Sequence, residues 1–344
     1  MMKLHRYIFL IIILATSMPN KSIGASFDCA ATSLSTVDQW ICQNPKISAL
    51  DERMAIHYQE NYKKLSPYNR VTYLNSQREW LRYWPQACGR TEDADMQTQE
   101  YLSCAENSYE ERIETLRVFI TKKQWPVFNV AQYHVTTADK KVVPDWVNKV
   151  EHQLTYPKID AAFLPVKDQQ LANQVNLWIR SVIKTLGGKN RTSLNENHMD
   201  TSLDIQLEEV SPDLIRLKTI YYFNGFGAHG NSVFNNYHYI ISKGRELKPP
   251  DLLQGNWQEL VAKDVYRQLH LQAPGMVLID SAQDVKSSIE RVQTWMFDRE
   301  GLRFIFSPYE LTAYAAGAPQ ISVDWELIKP YLTDYTKTQL PLLY

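Results

Sequence analysis

Apolar residues recur at spacings of three and four over three stretches of the first third of the chain. Lys46 to Leu65 carries Ile47, Leu50, Met54, Tyr58, Tyr62 and Leu65. Pro67 to Trp84 carries Val71, Leu74, Leu81 and Trp84, with Trp80 beside them. Gln97 to Ile120 carries Tyr101, Ala105, Tyr109, Ile113, Leu116 and Ile120. This spacing places one apolar stripe on each of three α-helices. Ser66-Pro67 ends the first and opens the second, because a proline at a helix start lacks only an N–H that would be unpaired there. Pro85 is expected to halt the second, and Ser35 or Thr36 caps a shorter helix that ends at Cys42. Helices joined by short links predict an antiparallel bundle.

Beyond about residue 133 the pattern becomes mixed. Tyr133 to Thr137 and Tyr156 to Asp160 read as short strands. Asp168 to Leu186 is a helix with Leu171, Val175, Trp178, Ile179, Val182 and Ile183 on one face, ended by Gly187-Gly188. Ser202 to Val210, with Leu203, Ile205 and Leu207 on one side, turns at Ser211-Pro212-Asp213 into a second strand, Leu214 to Phe223. Val233 to Ser242 is a third strand and Asn256 to His270 a helix. Val292 to Phe297 and Leu302 to Phe306 flank the turn Asp298-Arg299-Glu300-Gly301. The fold class expected is α plus α+β: a small helical bundle, then an antiparallel sheet with helices packed on one face. The boundaries drawn are a signal segment at 1–25, the bundle at 27–121, a link at 122–132, the α+β domain at 133–335 and a tail at 336–344.

Composition changes this picture at the N-terminus. Lys3 and Arg6 precede the apolar run Tyr7 to Ala15 and the small residues Ser22-Ile23-Gly24-Ala25, the layout of a secretory signal. Cleavage after Gly24 or Ala25 would release a periplasmic or secreted protein. The run is short of the ~20 residues that span a bilayer, so no stable membrane span is expected after cleavage. Retention of the segment as an anchor is the alternative. All four cysteines, Cys29, Cys42, Cys88 and Cys104, lie in the helical module. In an exported chain they read as two disulfides. Of the three possible pairings, Cys29–Cys42 and Cys88–Cys104 are favoured, because each closes a short loop beside a helix end. No CxxC pair supports zinc. No cofactor is expected.

The net charge of −1 argues against a general nucleic-acid binder. Between Glu92 and Glu114, however, eight acids face one base, Arg112, a local net charge of −7. Such a run is often a solvated helix face. It also fits a docking surface for a basic partner, with Glu92, Asp93, Asp95 and Glu100 as the candidates on or beside a loop held by Cys88–Cys104. In the larger module, Tyr221 to Asn231 invites a catalytic reading through His229, with Glu310 or Asp298 as its partner. No Gly-x-Ser-x-Gly, His-Glu-x-x-His or paired nucleophile set accompanies it, so a structural loop with glycines at positive φ is the better reading and no enzyme is expected.

The run Cys29, Ile41-Cys42, Leu50-Asp51, Tyr58, Leu65-Ser66, Gln77-Arg78-Glu79-Trp80-Leu81, Cys88-Gly89, Cys104 and Tyr109 to Leu116 resembles the N-terminal domain of the LprI lysozyme-inhibitor family over nearly the whole module. The resemblance implies an exported helical domain, in some members a lysozyme inhibitor. Gly225-Phe226-Gly227-Ala228-His229, Tyr237 to Gly244, Phe297 to Phe306, Ser307-Pro308-Tyr309-Glu310 and Ala313 to Gly317 are similar to the extracellular domain of the anti-sigma factor RsiV, over about 133–335. Phe226 stands where a glycine is usual there, and Gly230 where proline is common. That resemblance implies an α+β domain, and in RsiV itself a lysozyme receptor. The expectation is a cell-envelope protein that binds or inhibits lysozyme without catalysis. The alternative is a peptidoglycan- or glycan-binding module that uses Tyr222, Phe226, His229 and Tyr237.

Overall fold

A computed structural model describes residues 25–89, 95–121, 123–187, 198–297 and 300–339. The signal segment and the acids Glu92 and Asp93 therefore lie outside the described residues. The chain divides into two compact units, Met1–Glu52 and Arg53–Tyr344.

In the first unit, α1 (Thr36–Gln43) opens on a capping box: the Ser35 hydroxyl accepts from the Asp38 N–H, and the Asp38 carboxylate accepts from the Ser35 N–H. Cys42, at the end of this helix, is bonded to Cys29. The Ser48 hydroxyl donates to the Ile41 carbonyl, and Trp40 and Ile41 are buried. The next helix, α2 (Pro45–Lys63), carries the division between the units.

The second unit continues with α3 (Pro67–Cys88) and α4 (Gln99–Thr115), joined by Cys88–Cys104. Both disulfides are thus paired as the loop lengths favoured. Two expectations are corrected. Helix α3 does not stop at Pro85 but runs one turn further to Cys88; the Gln86 side-chain amide adds a bond to the Arg82 carbonyl, and the disulfide holds the last turn. The stripe on α3 is also rotated. Val71 and Leu81 are exposed, whereas Asn69, Tyr73, Ser76, Gln77, Trp80, Tyr83, Trp84 and Ala87 are buried.

A third correction concerns Val118-Phe119-Ile120. These residues do not extend α4; they form β1 (Val118–Ile120), paired antiparallel with Pro126 to Phe128. β-Branched and aromatic side chains suit an edge strand better than a last helical turn. The strand they pair with, β2 (Pro126–Thr137), takes in most of the segment read as a link.

The main sheet goes on through β3 (Lys149–Ile159), β4 (Asp200–Ser211), β5 (Leu214–Asn224), β6 (Asn231–Ile240) and β7 (Arg245–Glu246), with strand order β1 to β7 in sequence. It is antiparallel except for β3 and β4. That parallel pair needs a crossover, which α5 (Val166–Thr185) supplies. The apolar face of α5 (Ala172, Val175, Trp178, Ile179, Val182, Ile183) packs on Leu154, Leu203, Ile205, Ile215, Leu217, Tyr237 and Tyr239.

The remaining elements are α6 (Pro249–Leu252), α7 (Trp257–Gln272), α8 (Ala282–Glu290), β8 (Trp295–Phe297), β9 (Gly301–Ile305), β10 (Gln320–Asp324), α9 (Trp325–Ile328) and α10 (Asp334–Gln339). Strands β8 to β10 form a second, antiparallel sheet. Trp257, Val261, Val265, Val285, Ile289, Trp295, Phe304 and Ile321 from these elements form a second core with Leu214 and Ile240 of the main sheet. The class is α plus α+β, with helices serving both cores.

Helices of the bundle and strands of the sheet meet through buried polar groups. Arg112 on α4 is 1% exposed. Its Nε donates to the Gln77 Oε1 at 2.9 Å and its Nη2 to the Ser76 Oγ at 3.2 Å, while its guanidinium carbon lies 5.8 Å from the centre of the Tyr133 ring on β2. At the start of α3, the Ser66 N–H and hydroxyl both donate to the buried Asp160 carboxylate, at 2.7 and 2.8 Å. The Gln77-Arg78-x-Trp80 run that carried the first resemblance is thus partly a set of packing and hydrogen-bonding positions.

Candidate functional site

Two surface features lie side by side on the sheet domain. The first is an acidic pocket of about 320 Å³ between α4 and the strands β3 to β5. Glu111 comes from α4, Glu151 and Gln153 from β3, Asp200 and Ser202 from β4, and Tyr222 and Asn224 from β5. Backbone geometry fixes Asp200, whose Oδ1 accepts from the Glu151 N–H at 3.0 Å. The Tyr83 hydroxyl donates to the Glu151 carboxylate and accepts from the Gln153 amide at 2.6 Å. Partial desolvation, and then the Glu151 charge, hold the Glu111 carboxyl above the usual carboxylate range.

The second feature is an aromatic platform. His229, in the loop between β5 and β6, stacks on Tyr314 with ring centres 3.7 Å apart and an interplanar angle of 16°. Tyr309 lies 6.3 Å from His229 and 5.5 Å from Tyr314. The His229 Nδ1 and the Tyr314 hydroxyl both bond the Gly230 carbonyl, at 2.9 and 3.0 Å. The loop Gly225 to Gly230 and the run Ser307 to Tyr314 are about eighty residues apart in sequence, and the fold brings them together. Tyr309 is 52% exposed.

Backbone strain is concentrated here. Phe226 and Tyr309 have φ of 61° and 68°, in the left-handed region that non-glycine residues seldom occupy. Glycine, the usual residue here in the second resemblance, adopts such a φ without strain. Its ring is edge-on to Trp146 at 5.9 Å and packs on a small cluster of Ala138, Val143, Val147 and Val150. Gly230 is tight for a different reason. A Cβ at this position would come 2.2 Å from the Tyr222 hydroxyl, so a side chain there would push the half-exposed Tyr222 ring out of its present place between the platform and the acidic pocket.

The residues read from sequence are distributed as follows. Tyr222, Phe226 and His229 are brought together, with Tyr222 and His229 exposed. Tyr237 is buried against α5 and joins no exposed surface, so the aromatic set is without it. Asp95 forms a turn ahead of α4, its carboxylate accepting from the Gln97 N–H, and Glu100 is exposed in the first helical turn. Of the other acids on α4, Glu110 pairs with Arg53 and Glu114 with Arg117. Glu310 is committed to Arg291 and to the Ser307 N–H, and His229 bonds Gly230 and Tyr309. Asp298 lies outside the described residues. Glu151, Asp200, Tyr309 and Tyr314 were not singled out from sequence for this surface. Only the strand alternation and the Pro-Tyr-Glu run hinted at them.

Among the described residues, no helix is long and apolar enough to cross a membrane. Residues 28–116 match the family model described as Lysozyme inhibitor LprI. Residues 250–326 match the one described as Protein of unknown function (DUF3298). No curated protein matches the chain. Two solved structures are similar in part: a DUF3298 family member from Bacteroides fragilis NCTC 9343, at 12% identity and a TM-score of 0.44, covering 62% of this chain and 95% of that one; and a DUF3298 family protein from Pseudomonas aeruginosa PAO1, at 13% identity and a TM-score of 0.42, covering 61% and 95%. The LprI model thus matches within the stretch of the first resemblance, and the DUF3298 model matches a part of the stretch of the second.

Proposed function

We propose that this protein is exported to the cell envelope and there binds a lysozyme and blocks it, with no chemistry of its own. The observation that carries the reading is the LprI match over residues 28–116. Three features support it. Both disulfides belong to an oxidising compartment. The stretch Glu92 to Glu114 is strongly acidic in sequence, and Asp95 and Glu100 are exposed. The pocket at Glu111, Glu151 and Asp200 offers a seat for a lysine or arginine side chain of a basic enzyme. Opposite charge of this kind mainly accelerates encounter and weakens with salt.

Titrating the purified protein into a lysozyme assay at two salt concentrations tests the reading. Inhibition at low salt that falls as salt rises, and that falls further when Asp95 and Glu100 are both changed to lysine, is the expected result. Full lysozyme activity at micromolar excess, with no complex by size-exclusion chromatography, would overturn it.

The exposed His229–Tyr309–Tyr314 platform, with Tyr222 and Phe226 beside it, favours a second reading, a glycan-binding module that stacks on sugar faces. Retention of the protein on purified sacculi in the absence of lysozyme would move the balance to this reading.

A further inference from the structure

A pocket of about 520 Å³ opens between the start of α3, the end of β3 and α5, and shares no residue with the acidic pocket or the platform. Its volume lies in the range of small-molecule sites. Asn176 ties two of its walls together: its Nδ2 donates to the Ile159 carbonyl and its Oδ1 accepts from the Ile159 N–H, both at 2.9 Å. Helix α5 is thereby fixed to the end of β3. Arg180, one helical turn beyond Asn176, and Lys158, the strand residue before Ile159, line the same pocket.

These two cations are the only charged residues in the lining, and neither makes a hydrogen bond or an ion pair among the described residues. Lys158 is half-buried. Burial, and then the charge of Arg180, hold its ammonium below the ordinary range. Asp160 offsets this in part, but it is fully buried and its two oxygens accept from the N–H and the hydroxyl of Ser66. An exposed surface cation is commonly met by water alone. A half-buried ammonium beside a second cation, with no carboxylate in the wall, is short of negative charge.

Apolar surface lies next to this charge. Lys158 Nζ stands 5.0 Å from the centre of the Tyr68 ring, so ring and ammonium form one wall. Tyr68 is 74% exposed and Leu177, on α5, 61%. A bare inorganic anion would meet the cations and leave these side chains wet. A neutral apolar molecule would cover the side chains and leave the cations unpaired.

We propose that this pocket binds an organic anion, its carboxylate or phosphate head between Lys158 and Arg180 and its apolar body against Tyr68 and Leu177. The proposal does not rest on the lysozyme reading, which concerns other residues.

Isothermal titration of the full chain with phenyl phosphate, benzoate, inorganic phosphate, acetate and the neutral benzamide tests it. Saturable binding of at least one aromatic anion is expected, and the tighter of the two identifies the head group. Its bare counterpart, inorganic phosphate or acetate, and benzamide should each bind weaker by about tenfold or more. Arg180→Gln should weaken the aromatic anion about tenfold. Tyr68→Ala should bring its affinity down towards that of the bare anion. Arg180 and Tyr68 are both exposed, so both variants should keep the wild-type thermal midpoint, and their loss of affinity cannot be attributed to misfolding. The proposal is overturned if neither aromatic anion shows saturable binding at millimolar concentration. It is also overturned if benzamide or the bare anion binds as tightly, or if either variant leaves the affinity unchanged.

Discussion

The Ser76 hydroxyl on α3 bridges both backbone polar groups of Ala131 on β2, donating to its carbonyl at 2.8 Å and accepting from its N–H at 3.2 Å. β1 pairs with β2 only as far as Phe128, so from Asn129 onward β2 has no strand on that side among the described residues. An unpaired edge invites association with another chain. Here a helix side chain takes up the edge at the point where α3 crosses it, and Arg112 donates to the same oxygen. Ser76→Ala should leave the Ala131 groups buried and unpaired, lowering stability by about 1–3 kcal/mol. Urea unfolding checks this. A loss below about 0.5 kcal/mol would mean that the edge is satisfied in another way.

Arg112 gives the second prediction. It is buried and forms no ion pair among the described residues; its bonds go to the neutral Gln77 and Ser76, with a longer one to the Tyr133 hydroxyl. The planar fork reaches both partners at once, which a lysine ammonium cannot do. Arg112→Lys should therefore be destabilised by about 3 kcal/mol, nearly as much as Arg112→Ala. Rescue by lysine to within about 1 kcal/mol of wild type would show that charge alone is required.

His238 on β6 sets a pH dependence. It lies directly across from Arg216 on β5, its ring is 4.9 Å from Phe297, and neither ring nitrogen has a partner. Burial, reinforced by the Arg216 charge, holds it well below its ordinary value of 6.5. The unfolded chain therefore binds a proton in a range where the folded chain does not. Stability is unaffected by this group above the ordinary histidine range and falls as pH drops through and below it. Urea midpoints at pH 8 and pH 5 should differ more in wild type than in His238→Gln, which has no such proton. Equal differences in the two proteins would rule the effect out.

The strained backbone at Tyr309 separates stability from binding. Its φ of 68° suits glycine, and its ring is half exposed. Tyr309→Gly should leave stability unchanged or raise it by about 1 kcal/mol, while retention on a glycan matrix falls. Destabilisation beyond about 1 kcal/mol would mean that the ring supports the fold rather than a surface role.

The covalent tie from Cys88 to Cys104, sixteen residues on, joins α3 to α4. Changing both cysteines to alanine should cost about 3 kcal/mol by the chain-entropy argument. Thermal unfolding with and without reductant checks it, and the variant should be insensitive to reduction at this bond.

The sequence by itself determined what is local in this protein. Spacings of three and four placed α2 and the body of α4, alternation placed β4, the Ser211-Pro212-Asp213 turn placed β5 after it, and short loops selected the two cysteine pairs. Each of these depends on residues a few positions apart, where helix and strand periods act directly. The tertiary structure decided the rest. Whether α3 buries Val71 and Leu81 or Ser76 and Gln77 depended on a sheet edge more than fifty residues away, whose backbone groups needed hydrogen bonds. Whether Val118 to Ile120 stayed helical depended on the open side of β2. The Gly225 to His229 loop and Tyr309 to Tyr314 became one surface only when the two sheets packed, and no period in a linear chain records that meeting.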